Sequence, residues 1–270
     1  MKRFDFWPIR PILVFAMRFS YAAHTHLGQQ RPHNEDNYFV LEEDNLFVVA
    51  DGMGGHRSGE VASAIAVEAL ANYFIETENS QIAEWPFPLP AHYTYDECRL
   101  SCGIRQANLR VFQAAQQGEQ FEGMGTTIVC MVLGSTGAFL AHVGDSRGYV
   151  VRPDGIEQLT EDHSLVNEMI KAEKLTLEEA KRFAHKNVIV RALGLGDDVE
   201  VDIGRLMPQP GETYLLCSDG LTDLVTDDEI LEIIMTTAPD IGAASQALSN
   251  RANEAGGIDN ITIVMVSFTD

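Results

Sequence analysis

The sequence predicts an α+β fold in which antiparallel sheets carry helices on their outer faces. Three observations lead there. Short β-branched and aromatic runs come in groups, not in single alternation with helices. Two of these runs, 126–133 and 138–143, are separated by Gly-Ser-Thr-Gly, a hairpin signal. Two long segments, 58–76 and 96–116, place apolar residues at helical spacing. A doubly wound parallel sheet would need strand–helix–strand alternation along the chain, and this chain lacks it.

The elements follow in order. Residues 1–20, MKRFDFWPIRPILVFAMRFS, are basic and apolar. Pro8, Arg10 and Pro11 interrupt the apolar run and no small-residue cleavage site follows. Residues 1–19 therefore read as a poorly ordered N-terminal extension, or as a misplaced start with Met17 the true one, and 20–270 as a single domain. His24 and His26 fall on an extended segment where both point the same way, and without further zinc ligands they read as ordinary strand residues. Strands are expected at 37–40 and 46–50. The helix over 58–76 has Val61, Ile65, Ala69 and Tyr73 on one stripe; the helix over 96–116 has Leu100, Ile104, Ala107, Val111 and Ala114. Between them, 79–95 carries Pro86, Pro88 and Pro90 beside Trp85 and Phe87, which predicts an irregular, locally packed loop. Further strands are expected at 126–133, 138–143, 148–151, 213–217 and 261–268. Helix caps stand at Ser164, at Thr176 with Glu179 and at Thr226 with Glu229, and a last helix over about 240–255 stops at Gly256–Gly257. Residues 160–206 read as a mostly polar helical excursion, a flap suited to reading partners.

Composition bounds the function. Of 270 residues 45% are apolar, enough to bury a core and to exclude disorder as the main state. A net charge of −21 excludes a nucleic-acid backbone binder and disfavours anionic membrane surfaces. No run approaches the ~20 apolar residues of a membrane span. Cys98, Cys102, Cys130 and Cys217 form no CxxC pair, so they read as reduced, mostly buried thiols of a cytoplasmic protein.

The acids are the informative residues. Asp51 ends the run LFVVA and precedes GMGGH; Asp145 follows AFLAHVG; Asp219 follows TYLLCS; Asp259 precedes NITIVMV. A carboxylate at the end of a buried strand is held on rigid scaffold, and adjacent glycine admits close approach. Such acids cannot converge uncompensated, because like charges repel strongly. Only Arg57 and Arg147 lie within these segments. A hard divalent cation with oxygen ligands, Mg²⁺ or Mn²⁺, is the natural compensation. Singly, each Asp-Gly is more often a turn than a ligand.

In order, the chain reads RPHNED (31–36), VVADGMGGH (48–56), GMGTT (123–127), HVGDSRGY (142–149), LLCSDGLTD (215–223) and GGIDNIT (256–262). This set resembles the metal-dependent Ser/Thr protein phosphatases, the type-2C or PPM family, in their bacterial form, over about 25–268. The resemblance implies a β-sandwich of two antiparallel sheets with a helix pair on each side, four layers in all. It implies that Asp51 bridges two metals, that the Gly52 carbonyl binds one of them, and that Asp219 and Asp259 complete the first. Asp36 and Glu35 match acids that touch the second metal directly or through water. Asp145 and Asp223 match acids that join Asp219 around a weaker third metal in many members. Arg31 matches the arginine that grips the substrate phosphate, and Asn260 a polar neighbour of the site.

These roles imply hydrolysis of phosphoserine and phosphothreonine in proteins by a hydroxide shared between two Mn²⁺ or Mg²⁺ ions. Partners would be phosphorylated proteins and a cognate Ser/Thr kinase, with the phosphatase a monomer. His56 is a candidate acid for the leaving group, weighed against a helix-start residue that bonds backbone or a metal water. The animal pattern has His directly after Asp-Gly, where this chain has Met53. His163 reads as a cap or flap contact, Arg147 as a partner for site carboxylates, and Thr126 and Thr127 as packing behind the site. Two rival readings are a pseudophosphatase serving as a binding or sensor module, which a missing ligand acid would favour, and a hydrolase of some other phosphoester.

Overall fold

The computed structural model describes residues 17–269 apart from 55–57, 79–81, 83, 135–136, 181–182 and 184–187. Two sheets face each other. One has the order β1 (Arg18–His26), β11 (Ile261–Thr269), β10 (Thr213–Cys217), β7 (Arg147–Arg152), β8 (Gly155–Gln158). The other has the order β2 (Asp36–Leu41), β3 (Leu46–Met53), β5 (Ile128–Gly134), β6 (Gly137–Val143), β9 (Asp202–Leu206), with the two-residue β4 (Gly125–Thr126) added on β3. All pairings are antiparallel.

Each sheet is covered on both faces, which is why its central strands read as unbroken apolar runs. In β3, Phe47 and Val49 point between the sheets, where they meet Val129, Met131, Tyr214, Leu216, Val264 and Phe268. Leu46, Val48 and Ala50 point the other way, against α1 (Ser58–Thr77) and α2 (Tyr95–Ala115). The opposite sheet turns Leu215, Cys217, Ile261, Ile263 and Met265 onto α6 (Asp227–Thr237) and α7 (Ile241–Glu254). Period-two alternation thus builds three apolar layers from two sheets and two helix pairs. The expected four-layer α+β sandwich is the observed one.

Local signals set the helix boundaries. Thr94 and Glu97 form a reciprocal capping box at α2, and Thr226 and Glu229 another at α6. Ser164 caps α3 (Leu165–Lys171), and Asp240 caps α7. Gly256 and Gly257 end that last helix with positive φ of 129° and 49°. Thr176 and Glu179 bond each other at the start of the one-turn α4 (Leu177–Ala180). Ser218 precedes another single turn, α5 (Asp219–Thr222). All four cysteines are free and buried.

Four expectations need correction. The first strand begins at Arg18 and runs against β11 from Thr269, so Arg18 and Phe19 are part of the sheet, not of an extension; residues 1–16 lie outside the described residues. The 160–206 excursion is shorter than expected, because 202–206 is the edge strand β9, paired from Asp202↔His142 to Leu206↔Ala138. Strand β8 was not foreseen, since its sequence, Gly-Ile-Glu-Gln, is half polar at an exposed edge. The run 126–133 is divided at Thr127, which leaves the ladder to bond Asp51.

The Pro-rich loop packs as expected, with the Trp85 and Tyr95 rings 5.4 Å apart. It is also stitched to the return of the flap: Arg105 bonds Asp198 through two nitrogens, at 2.7 and 2.8 Å, and the Pro88 carbonyl at 2.9 Å. Arg205 of β9 pairs with Glu97 of α2 and reaches the His92 carbonyl. Among the described residues, no helix is long and apolar enough to cross a membrane.

Leu216 sits in the middle of the inter-sheet layer, 1% exposed. Leu216→Ala should lower stability by about 2–5 kcal/mol in urea unfolding, the cost of a cavity in a close-packed core. A loss under about 1 kcal/mol would contradict this layer assignment.

Candidate active site

The acids gather at one end of the layer between the sheets; strand parity places Asp51 and Asp36, and strand ends place Asp145, Asp219 and Asp259. Phe47 and Val49 of β3 point inward, so the next inward position is Asp51. Asp36 of β2 stands opposite Asp51 in register and shares its face. On β10, Tyr214 and Leu216 point inward, and the next inward residue is Ser218, whose Oγ donates to Asp36 Oδ2 at 2.7 Å. Asp219 follows as the first residue of α5, and Asp223 lies one turn on.

The backbone around Asp51 is clamped. Its N–H donates to Thr127 Oγ1 at 3.0 Å, and its carbonyl accepts from Thr127 N–H at 2.8 Å and Thr126 Oγ1 at 2.9 Å. The two threonines thus fix the strand end that carries the acid. Gly52 donates its N–H to the Glu35 carbonyl at 3.1 Å. A Cβ at Gly52 would lie 2.1 Å from the Gly59 carbonyl oxygen and 2.5 Å from that of Glu35, so only glycine fits between the start of α1 and the 27–35 loop.

Asn260 organises that loop. Its Oδ1 accepts from Glu35 N–H at 2.8 Å, and its Nδ2 donates to the carbonyls of Leu27 at 2.9 Å and His33 at 3.0 Å. Its own N–H donates to Asp259 Oδ1 at 2.8 Å. One buried side chain therefore ties three points of the loop bearing Arg31 and Glu35 to the strand end bearing Asp259. Arg31, half exposed, donates to Asp259 Oδ2 at 2.5 Å.

The electrostatics are unfavourable for bare carboxylates. Burial raises Asp51 well above the usual carboxylate range, and Asp36, Asp219, Asp145 and Asp259 add to the rise. Burial raises Asp36 as well, partly offset by hydroxyl bonds from Thr262 and Ser218. Burial, then repulsion by Asp259 and Asp223, raises Asp219. Burial and the charges of Asp219 and Asp162 push Asp145 up to about 7. Burial also raises Glu35. Among the described residues, Glu35 Oε1 and Asp219 Oδ1 are buried with no hydrogen-bond partner. A buried acceptor without a donor is costly, and so is a group of like charges in low dielectric. A hard divalent cation relieves both, and this all-oxygen donor set suits Mg²⁺ or Mn²⁺. The residues present fit such ions.

Asp36, Asp51, Asp145, Asp219 and Asp259 are thus brought within mutual electrostatic reach, with Glu35 and Arg31 at the same rim. Asp223 lines a cavity of about 560 Å³ together with Asp145 and Asp219. His56 lies outside the described residues. Arg147 does not serve the rim as expected: it grips Asp162 through Nε at 2.9 Å and its terminal nitrogen at 2.6 Å. As expected, His163 contacts the flap, and its Nδ1 accepts from Gly144 N–H at 3.0 Å. It also stacks on His142 with ring centres 4.7 Å apart and lies 3.4 Å from Asp202. That cluster was not foreseen, because it joins three segments distant in sequence. Ser218 also went unnoticed, although continuing the alternation of TYLLC by one residue would have found it. His24 and His26 share one face of β1 as expected, and His26 Nδ1 accepts from Gly28 N–H.

Asp145 supplies a test. In the metal-free fold it keeps its proton up to about pH 7, whereas the unfolded chain loses it near pH 4. Between these values the native state binds more protons, so this residue's contribution to stability falls as pH rises. Asp145→Asn should therefore stabilise the metal-free protein by about 1–3 kcal/mol more at pH 8 than at pH 5, measured by urea unfolding with chelator. Equal effects at both pH values would contradict the assignment.

Comparison with known proteins agrees with this geometry. The family model for protein phosphatase 2C matches residues 23–251. Protein phosphatase PhpP of Streptococcus pneumoniae is 37% identical over 252 residues, which cover 91% of this chain and 96% of the relative. The serine/threonine phosphatase of S. agalactiae superposes with a TM-score of 0.81 at 34% identity, covering 94% of this chain and 100% of that one. The catalytic domain of the phosphatase PstP, solved with two manganese ions, gives a TM-score of 0.76 at 31% identity, covering 94% and 100%. Motifs, sandwich and carboxylate rim agree with these matches: the chain belongs to the protein phosphatase 2C family.

Proposed function

We propose that this chain hydrolyses phosphoserine and phosphothreonine in proteins, using a pair of Mn²⁺ or Mg²⁺ ions, and so reverses the action of a Ser/Thr kinase. The observation that carries the reading is the rim of buried acids, whose mutual repulsion bound cations would relieve near neutral pH. Asp51, Asp219 and Asp259 would hold the first ion, with Asp51 shared; the Gly52 carbonyl would bind one of the two ions, and Asp36 and Glu35 would serve the second. Asp145 and Asp223 would join Asp219 at a third position. When bound, the ions acidify water, so that hydroxide is available near neutral pH.

The protein's own groups do the rest. The Arg31 guanidinium, which now rests on Asp259, is exposed enough to turn and take two phosphoryl oxygens at once. Asn260 keeps its loop over the rim. No side-chain nucleophile is required, and the nearby hydroxyls are committed elsewhere: Ser218 to Asp36, Thr126 and Thr127 to the Asp51 backbone. A bare rim would repel a phosphate dianion, so the acids and their cations together form the phosphate site. No acid of the ligand set is missing from the sequence, which leaves a pure binding module without support. Four buried free thiols suit a reducing, cytoplasmic setting.

Full chelation should abolish phosphate release from phosphothreonine peptides, and added Mn²⁺ should restore it. Asp51→Asn and Asp219→Asn should each lower kcat by orders of magnitude in a malachite-green assay. Near-normal rates in both variants, or activity that survives chelation, would refute the reading.

Asn260→Ala should lower kcat/KM about 10–100-fold by displacing the Arg31 loop. In an Arg31→Ala background the same change should cost far less. Fully additive losses in this double-mutant cycle would show that Asn260 does not act through Arg31.

A further inference from the structure

Asp145 sits in a turn that is pinned on both sides. Ser146, buried, shares a hydroxyl bond of 2.7 Å with Thr127, behind the rim. Gly144 has a positive φ of 110°, and a Cβ there would lie 2.7 Å from Thr127 Cβ. Both backbone groups of Gly144 meet one residue, His163. The His163 N–H donates to the Gly144 carbonyl at 3.0 Å, and its Nδ1 accepts from the Gly144 N–H at 3.0 Å. His163 is itself buried and lies near the start of the flap. Its carbonyl accepts from Val190 N–H at 2.9 Å, and Leu165 N–H donates to the Val188 carbonyl at 2.8 Å. The outgoing and returning arms of the flap therefore meet at the residue that holds Gly144.

The His163 ring can accept from Gly144 only as a neutral imidazole with its proton on Nε2. Its surroundings suit that form. Nε2 lies 3.4 Å from Asp202 Oδ2, an acceptor for the Nε2 proton. Arg191, 3.0 Å from the same nitrogen, donates instead to Asp202 Oδ1 at 2.7 Å. His142 stacks on the ring with centres 4.7 Å apart, and its own Nε2 lies 2.9 Å from the Glu161 carbonyl. Burial, then His142 and Arg191, lower His163 to about 4, so the ring stays neutral near pH 7. The ligand atoms of His142, His163 and Asp202 lie within 4.8 Å of one another, as a metal site would require. That reading fails on the ring's commitments: Nδ1 is taken by Gly144, and Nε2 holds the proton. Resting on the reading of Asp145 as a cation ligand, we propose that His163 is a positioning residue. Its Nδ1 holds the Gly144 peptide so that Asp145 faces the third cation position, and it ties that position to the flap.

The test is calorimetric titration of full-length variants with Mn²⁺. Asp145→Asn identifies the binding event that Asp145 serves, by removing it. Leucine and asparagine match in size, but only asparagine keeps an acceptor near the place of Nδ1. His163→Leu should weaken the Asp145-dependent event by about 10-fold, and His163→Asn should stay within about twofold of the wild type. His163→Gln, whose acceptor falls near the place of Nε2, should behave as His163→Leu does and replaces it if that variant does not fold. Hydrogen exchange at the Gly144 amide of the metal-free protein should quicken at least about 10-fold in His163→Leu but not in His163→Asn. Equal losses in the two variants, or no loss in His163→Leu, would overturn the positioning role. Loss in His163→Leu of an event that Asp145→Asn retains would place a cation at His142, His163 and Asp202, and would also overturn it. Unchanged Mn²⁺ binding in Asp145→Asn would refute the third cation position, and the role of His163 with it, while leaving the pair of ions in place. A wild type that binds no Mn²⁺ would refute the metal-dependent phosphatase reading itself.

Discussion

Repulsion among buried carboxylates is the constraint on which the rest of this structure depends. Burial and neighbouring acids raise the affinity of Asp36, Asp51, Asp145 and Asp219 for protons, and among the described residues two acceptor atoms of the rim are buried with nothing to accept from. Such an arrangement persists only where the surrounding scaffold over-determines it. Here the scaffold is a sandwich with three apolar layers: Asp51 and Asp36 are inward-facing residues at strand ends, and Asp145, Asp219 and Asp259 stand just beyond strand ends. The neighbouring hydrogen bonds hold backbone rather than charge: Thr126 and Thr127 clamp Asp51, and Asn260 ties the 27–35 loop to Asp259. The protein thus fixes the acids in place and leaves their charge for something else to neutralise.

This arrangement also explains why a chain of net charge −21 can bind phosphate dianions. Most of the excess is ordinary solvated surface. A small part, concentrated at one end of the inner layer, becomes a phosphate site once cations neutralise it.

Much of this was legible in the sequence, for identifiable reasons. Runs such as LFVVA, TYLLC and ITIVMVSF are apolar throughout because both faces of each sheet are covered, and their length marks the central strands. Capping pairs such as Thr226 with Glu229 fixed helix starts to within a residue. The acids stood out because each ends such a run beside glycine. Edge elements were harder. Strands β8 and β9 are short and half exposed, so their residues carry no clear alternation, and β9 was absorbed into the flap. Partners set by tertiary folding were not legible either. Asp162 as the partner of Arg147, Asp198 as the partner of Arg105, and the three loop bonds of Asn260 join positions that no local pattern connects.

The central claim is that the rim holds protons in the metal-free protein and gives them up to cations. Calorimetric titration of the metal-free protein with Mn²⁺, repeated in buffers of different ionisation heat, counts those protons directly. Near pH 6 the account predicts release of about one proton or more per protein, declining toward none as pH rises past 8, where the acids are already ionised. Tight Mn²⁺ binding with no proton release at any pH in this range would contradict it.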